Sequence, residues 1–258
     1  MRARIDHSKA IMLIFVLFSV ASASAIESGQ SESGVAGPNR TNFHLLSASA
    51  GDAAVVSVGF EYQNCYQPGS RILNSDDSEI ARGNSFVDSV SLPASSSYRV
   101  EITTNQFCPV DTPYNLHFLK VPGATEYGVL AESGTVTGAI ARGDIDSYEF
   151  SVPAGTEIAL NVESIGADWN PIWNLYPHSG GAPYSGSSTT NLLLFNGGKY
   201  TLMVRTADPL GFGDYKLTYT IPGLTDVQPE SVPFPFWAIL VSLAIFVIFG
   251  AKATKPRM

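Results

Sequence analysis

The chain has 258 residues, a net charge of −8 and 45% hydrophobic residues, with its longest apolar runs near the two ends. Without those ends' basic flanks, residues 26–251 carry 9 Lys and Arg against 22 Asp and Glu, a net charge of −13. An acidic surface of this kind repels phosphate backbones, which argues against a nucleic-acid partner. It is compatible with cation binding, or simply with solubility outside the cell.

The N-terminal apolar run, residues 11–21, predicts a cleaved secretory signal. It follows three basic residues and precedes the small-residue sequence Ala23-Ser24-Ala25. About eleven apolar residues are too few to cross a hydrocarbon core, which requires about 20 residues of helix. We therefore expect residues 1–25 to be a signal peptide that is cleaved after Ala25.

After the signal, residues 26–38 are polar and rich in Ser and Gly, and they predict a flexible lead-in. Two similar blocks follow, residues 39–121 and 126–221. Motifs keep their order between the blocks at a shift of 101 to 104 residues, with Gly51 matching Gly155, Tyr98 matching Tyr200 and Tyr114 matching Tyr215. A shift that drifts so little predicts duplicated domains that differ in their loops.

Both blocks have the pattern of short β-strands. Tyr148, Phe150 and Val152 alternate with Glu149 and Ser151, which is the period of a half-buried strand. In the first block, Val56, Val58 and Phe60 form the set expected to face inward. In the second block the predicted strands are residues 135–140, 146–152, 157–162, 172–176, 191–195, 200–205 and 215–221. The fold class is therefore all-β, as two tandem antiparallel β-sandwich (jelly-roll-like) domains.

Cys65 and Cys108 are the two cysteines of the chain, and both fall in predicted loops of the first block. In an oxidising compartment such a pair most often forms one disulfide. Its loop of about 44 residues would stabilise the fold by roughly 4 kcal/mol in the chain-entropy model. A metal pair or a nucleophilic thiol lacks support, because there is no CxxC motif and no nearby His. The sequence Asn39-Arg40-Thr41 predicts glycosylation at Asn39.

The C-terminal apolar run, residues 236–251, predicts a membrane anchor. It is interrupted only by Ser242, and three basic residues follow it, as the positive-inside rule requires of a cytoplasmic end. A single-pass protein with most of its chain extracellular is expected. Its segments would be a Pro-rich stalk (222–233), a transmembrane helix (234–251) and a basic cytoplasmic tail (252–258).

The second block resembles the bacterial and archaeal pre-peptidase C-terminal domain over about 90 residues. The motifs that carry the resemblance, in the order of that family, are Gly143-Asp144-Ile145-Asp146-Ser147-Tyr148-Glu149-Phe150, Val152-Pro153-Ala154-Gly155-Thr156, Asn170-Pro171-Ile172-Trp173-Asn174-Leu175-Tyr176, Gly198-Lys199-Tyr200-Thr201-Leu202 and Gly213-Asp214-Tyr215-Lys216-Leu217. The first block is similar only in outline, because Arg40 and Asn42 stand where Asp144 and Asp146 stand in the second.

The resemblance implies a small β-sandwich that accompanies exported proteases and other enzymes and helps binding, folding or export. Some related domains in clostridial collagenases bind collagen and calcium. Residues 233–237 also resemble the start of archaeal C-terminal sorting tails with a Pro-Glu-Phe motif, although the Glu is missing here. This second resemblance implies a protein of an archaeal envelope.

The residue patterns argue against catalysis. His44, His117 and His178 lie far apart in sequence, and neither a GxSxG elbow nor an HExxH helix is present. We therefore expect a protein that is not an enzyme.

Metal binding is better supported, with Asp144 and Asp146 as candidate ligands and calcium as the candidate cofactor. Side chains at i and i+2 on a strand point the same way, so the two carboxylates can share a cation. The alternative is that they make turn and strand-start hydrogen bonds, as Asx residues often do. Trp169 and Tyr184 are candidate ligand-binding residues in predicted loops, and the alternative for Trp169 is an anchor packed on the sandwich rim.

Together these patterns predict a non-catalytic, membrane-anchored cell-surface protein for binding, adhesion or envelope assembly. The expected partner is a surface glycan or an exported protein. The alternative is an accessory subunit that helps an exported hydrolase or protease to fold or to bind substrate.

Overall fold

The computed structural model describes residues 24–38, 40–61, 69–93, 97–103, 111–166, 169–208 and 210–223. These residues form sixteen strands: β1 (Gln30–Ala36), β2 (Thr41–Leu46), β3 (Ala53–Phe60), β4 (Gly69–Leu73), β5 (Glu79–Gly83), β6 (Phe86–Ser91), β7 (Tyr98–Thr103), β8 (Thr112–Val121), β9 (Ser133–Ile140), β10 (Ile145–Val152), β11 (Thr156–Ile165), β12 (Pro171–Pro177), β13 (Tyr184–Gly186), β14 (Thr190–Leu194), β15 (Gly198–Thr206) and β16 (Gly213–Thr220). No helix of sufficient length and apolar character to span a bilayer is found in this part of the chain. The predicted signal run, the stalk beyond residue 223, the anchor, Asn39, Cys65 and Cys108 lie outside it.

The strands build two sandwiches with the same topology. In the first, one sheet has the order β1-β8-β3-β6 and the other β2-β7-β4-β5. In the second, the orders are β9-β16-β11-β14 and β10-β15-β12-β13, so every strand has a counterpart eight strands later. All the pairings between these strands are antiparallel. This arrangement confirms the all-β, tandem-sandwich fold for the described residues.

The core of the second sandwich lies between its two sheets. Tyr215, Leu217 and Tyr219 of β16 are buried, whereas the residues between them are partly or fully exposed. Trp173 and Leu175 of β12 are completely buried, as their shared strand face predicts. Burying one such large apolar side chain contributes about 1.5–3 kcal/mol relative to exposing it.

Strand β1 occupies part of the stretch that we expected to be a flexible lead-in. Gln30–Ala36 pairs with β8 along its whole length, and Gly34 lets the ring of Tyr114 pack directly against the backbone. Ile26 is also ordered: it is 1% exposed, and its N–H donates to the Leu45 carbonyl at 2.8 Å. Because β1 is an edge strand with one exposed face, its side chains are mostly polar and lack apolar periodicity.

The two sandwiches meet through an apolar layer formed by the outer face of the β3–β8 sheet. β3 is buried almost throughout, since its second face is covered by the second sandwich. Gly59 and Gly143 allow the two backbones to touch, and a Cβ on Gly59 would collide with the backbone of Arg142. The buried side chains of this layer are Val55, Leu119, Val121, Ile145, Tyr176 and Met203.

Candidate metal centre at the domain junction

Three carboxylates converge where the two sandwiches meet. One oxygen atom from each of Glu126, Asp144 and Asp146 lies within 4.8 Å of the others. Glu126 is exposed, Asp144 is half-buried and Asp146 is fully buried. The structure thus brings the two predicted ligands together and adds Glu126, which the sequence analysis did not identify.

Local backbone contacts place these side chains. Asp144 closes a turn in which its N–H donates to the Ala141 carbonyl at 3.1 Å, and Gly143 takes a φ of +78° that favours glycine. Asp146 follows on β10. The connection between the sandwiches is tied to β10 because the Glu126 N–H donates to Ser147 Oγ at 2.9 Å.

Asp146 has one satisfied and one unsatisfied oxygen. Its Oδ2 accepts a hydrogen bond from the Tyr215 hydroxyl at 2.6 Å, and that hydroxyl is 2.6 Å from the hydroxyl of Tyr148. Its Oδ1 is buried and has no hydrogen-bond partner among the described residues. A buried carboxylate oxygen without a partner is costly, and a bound cation is an ordinary way to satisfy it.

The protonation behaviour of the cluster reflects crowded negative charge. Burial raises the pKa of Asp146 to about 7, and the neighbouring carboxylates of Asp144 and Glu126 raise it as well, against the Tyr215 hydrogen bond and a weaker effect of the Tyr127 hydroxyl. The pKa of Glu126, whose side chain remains largely exposed, is raised first by partial withdrawal of its carboxyl from water and then by Asp144. Burial also acts to raise the pKa of Asp144, but the His117 ring and hydrogen bonds from the backbone together outweigh it, and the pKa is lowered. The cluster therefore favours uptake of a proton or a cation.

His117 links the cluster to the first sandwich. This β8 side chain is 2% exposed, and its Nδ1 lies 3.0 Å from Asp144 Oδ1 and 2.9 Å from Ser31 Oγ. Serine, histidine and aspartate thus meet, but both neighbours contact the same ring nitrogen, and Nε2 is buried without a partner among the described residues. A catalytic triad needs serine and carboxylate on opposite nitrogens, so this geometry does not match one.

The donor set fits calcium better than a softer metal. The three converging groups supply carboxylate oxygens, which Ca²⁺ prefers, whereas zinc sites are built from thiolates and imidazoles. Backbone carbonyls and water would complete a shell of six to eight oxygens. Asp144 also has the alternative role that we considered, because its Oδ1 accepts from the Ile145 N–H at 2.9 Å.

The corresponding place in the first sandwich lacks a carboxylate pair. Arg40 pairs with Asp111 at 3.1 Å, and Asn42 Nδ2 donates to the Val35 carbonyl at 3.0 Å. The difference follows directly from Arg40 and Asn42 replacing the two aspartates. The duplicated fold therefore carries its candidate metal centre in only one of the two described copies.

The other predicted site residues lie apart from one another. Trp169 is half-buried against the core and its Nε1 donates to the Asp214 carbonyl at 3.1 Å, the contact expected of a rim anchor. Tyr184 lies on the short strand β13 and also packs against the core. Their role in ligand binding stays a prediction. His44 contacts Glu32 and Tyr114, and His178 contacts Thr201, so the three predicted histidines do not meet.

No protein-family model and no curated protein matches the chain. Among solved structures, 38% of the chain is similar to 97% of the pre-peptidase C-terminal domain of a collagenase from Bacillus anthracis, at 26% identity and a TM-score of 0.32. A further 17% identical match covers 35% of the chain and 87% of PliG, a periplasmic inhibitor of g-type lysozyme from Aeromonas hydrophila, with a TM-score of 0.30. The turret protein A223 of Sulfolobus turreted icosahedral virus is 10% identical, with 74% of the chain and 96% of A223 covered and a TM-score of 0.22. The first of these is a domain of the family that the second block resembles.

Proposed function

We propose that the chain is a non-catalytic, exported binding protein whose two β-sandwiches are fastened together by calcium at their junction. The observation that carries this proposal is the buried, unpartnered Oδ1 of Asp146 beside the carboxylates of Asp144 and Glu126. A divalent cation offsets two of the three crowded negative charges and supplies a partner for the orphaned oxygen at once.

The position of the cluster gives the cation a structural role. Glu126 belongs to the connection between the sandwiches, Asp144 and Asp146 to the second sandwich, and His117 of the first sandwich contacts Asp144. Binding at this point holds all three parts of the junction. Extracellular calcium-binding modules have dissociation constants of about 10⁻⁴–10⁻³ M, a range suited to a protein that works outside the cell.

The cellular part of the proposal rests on the sequence. A cleaved signal and a C-terminal anchor would hold the sandwiches at the outer surface, where tethering raises the effective concentration of neighbouring partners. The proposed partner is a surface glycan or another exported protein, with Trp169 and Tyr184 as contact residues. Protease added to intact cells should then cleave the sandwich region. Full protection of that region would contradict the surface location.

Calcium titration of the full-length chain tests the metal centre. After treatment with chelator, calcium at about 10 mM should stabilise the fold by roughly 1.4–2.7 kcal/mol, which raises the melting temperature by roughly 3–10 °C. Glu126→Gln and Asp146→Asn should remove this shift. Glu163→Gln is the matched control, since Glu163 is an exposed carboxylate that pairs with Lys216 at 2.7 Å. An unchanged melting temperature of the wild type over the titration would refute the proposal.

The binding role has its own test. Immobilised envelope glycans and exported proteins should capture the full-length chain, and Trp169→Ala should weaken capture while circular dichroism shows retained β-structure. Trp169 contacts the rim of the second sandwich, so the variant's melting temperature should be measured alongside. Equal capture by a folded variant would exclude Trp169 from the contact surface.

A further inference from the structure

A cavity of about 260 Å³ lies at the junction, away from the residues that form the metal centre. The first sandwich and the second both line it, the first with polar residues and one phenylalanine, and the second with the end of β15. The lining residues are Ser57, Asn84, Ser85, Phe86, Arg205, Thr206 and Ala207. A ligand in this cavity would contact both sandwiches.

Arg205 is the charged residue of this cavity, and its guanidinium stacks over the ring of Phe86, with Cζ 3.5 Å from the ring centroid. Nε donates to Asn174 Oδ1 at 3.0 Å and Nη1 donates to the Thr206 carbonyl at 3.1 Å. Both acceptors are neutral. A guanidinium has five N–H donors, so these bonds leave donors for a ligand.

The charge of Arg205 is not balanced by a direct ion pair. No carboxylate of the described residues lies within 4.0 Å of its nitrogens. Asp88 acts on it from a distance, and the Asp88 carboxylate accepts a hydrogen bond from the Tyr176 hydroxyl. The pKa of Arg205 is lowered because its guanidinium is partly removed from water. A half-buried guanidinium without an ion pair among the described residues favours an anionic ligand.

Ser85 supplies a second, independent observation. It is 9% exposed, lines the cavity and has an Oγ without a hydrogen-bond partner among the described residues. A buried hydroxyl without a partner is destabilising, and rotation about χ1 can turn it toward a bound acceptor. Ser57, which is 6% exposed, adds a further hydroxyl-bearing side chain to the same wall.

We propose that this cavity binds the carboxylate of a small hydroxylated acid of the size of one monosaccharide, such as a uronic acid. The planar guanidinium of Arg205 matches a carboxylate in a two-point contact, and Ser85 and Ser57 bind oxygens of the ligand. A single arginine in an acidic chain suits a ligand with one negative charge better than a phosphate with two. Arg205 of the second sandwich would thus bind the carboxylate of the ligand, and Ser57 and Ser85 of the first sandwich would bind its hydroxyl groups.

Ligand titration of the full-length chain, in chelator and without calcium, tests this proposal separately from the metal centre. Galacturonate should bind with a dissociation constant of the order of 1 mM, as measured by calorimetry, and should raise the melting temperature. Galactose, which lacks the carboxylate, should bind at least about tenfold more weakly. Acetate binding as tightly as galacturonate would overturn the proposed ligand class, because the hydroxyl groups and the sugar ring would then add no affinity. No binding of either acid, or equal binding of galactose, would overturn the proposal.

Variants assign the binding to the cavity. Arg205→Met should lower galacturonate affinity by about tenfold or more and Ser85→Ala by several-fold. Arg99→Met is the matched control, because Arg99 of the first sandwich likewise stacks over a phenylalanine, Phe43 at 4.7 Å, and neither residue lines the cavity. If Arg205→Met fails to fold, Arg205→Lys keeps the charge but loses the two-point contact and should bind less tightly. Unchanged affinity in both a folded Arg205 variant and Ser85→Ala would place the ligand elsewhere.

Discussion

Replacing Asp146 with asparagine should stabilise the protein at alkaline pH in the absence of calcium. Asparagine cannot ionise, but its amide oxygen can still accept the hydrogen bond that Tyr215 donates to Asp146 at 2.6 Å. Its amide nitrogen can donate to the carboxylates of Asp144 or Glu126, which lie within 4.8 Å. The variant therefore exchanges a buried like-charge contact for a hydrogen bond.

The sign and the size follow from the pKa of Asp146, which is about 7 in the folded state against a usual value of 3.8. Between these values the folded protein holds a proton that the unfolded chain has lost, so stability falls as pH rises from about 4 to about 7. The full cost is present above pH 7 and corresponds to roughly 4 kcal/mol at most. Glu126, whose pKa is also raised, acts in the same direction.

Chemical denaturation of the full-length chain and of Asp146→Asn, in chelator at several pH values, measures this effect. The variant should be more stable by about 2–4 kcal/mol at pH 8 and close to the wild type near pH 4, which corresponds to a rise in melting temperature of roughly 4–16 °C at pH 8. Calcium should stabilise the wild type increasingly as pH rises and leave the variant unchanged. A variant that is less stable than the wild type at pH 8 would refute the reasoning.

Three further changes test other parts of the fold. Gly59→Val should separate the two sandwiches at their junction, lower the free energy of unfolding by about 2 kcal/mol or more and increase the radius of gyration in solution scattering. An unchanged radius of gyration and stability would contradict the backbone contact. Tyr215→Phe removes a hydroxyl with two hydrogen bonds and should lower the free energy of unfolding by about 1–3 kcal/mol in chemical denaturation. The control Tyr219→Phe, in which no hydrogen bond to the described residues is lost, should change it by less than about 0.5 kcal/mol. Equal costs would argue against the hydrogen bonds of Tyr215 to Tyr148 and Asp146. Intact mass without reductant should show Cys65 joined to Cys108, and reduction should cost roughly 4 kcal/mol; two free thiols in the exported protein would end that prediction.

The strands that were predicted from the sequence are those that are bounded by turn-forming residues and have an apolar face. All seven strands predicted in the second block overlap observed strands, since β-branched and aromatic residues are bounded there by Gly, Pro, Asn and Ser. The core positions of Trp173 and Leu175 followed from their shared face. β13 was missed because three residues are too few to show a period. β1 was missed because an exposed edge strand has few apolar residues.

The candidate site was only half accessible to sequence reasoning. Asp144 and Asp146 are two residues apart, so strand geometry alone indicated that their carboxylates converge. Glu126 lies in a connection without periodicity, and His117 belongs to the other sandwich, so only the packing of the two domains places them here. Val55 illustrates the same limit: alternation placed Val56 inward, but both are buried because the second sandwich covers the other face.

The backbone contact at Gly59 and Gly143 has a consequence for how the two sandwiches engage a partner. When two domains are joined by a flexible linker, forming a second contact with the partner restricts their relative orientation. The entropy lost in this way offsets much of the binding free energy of the second contact. Two sandwiches held in a fixed orientation by their junction have already lost that freedom during folding. Two weak contacts, one on each sandwich, would then combine to give slow dissociation. This requires a partner whose binding groups repeat at the spacing set by the fixed arrangement of the two sandwiches.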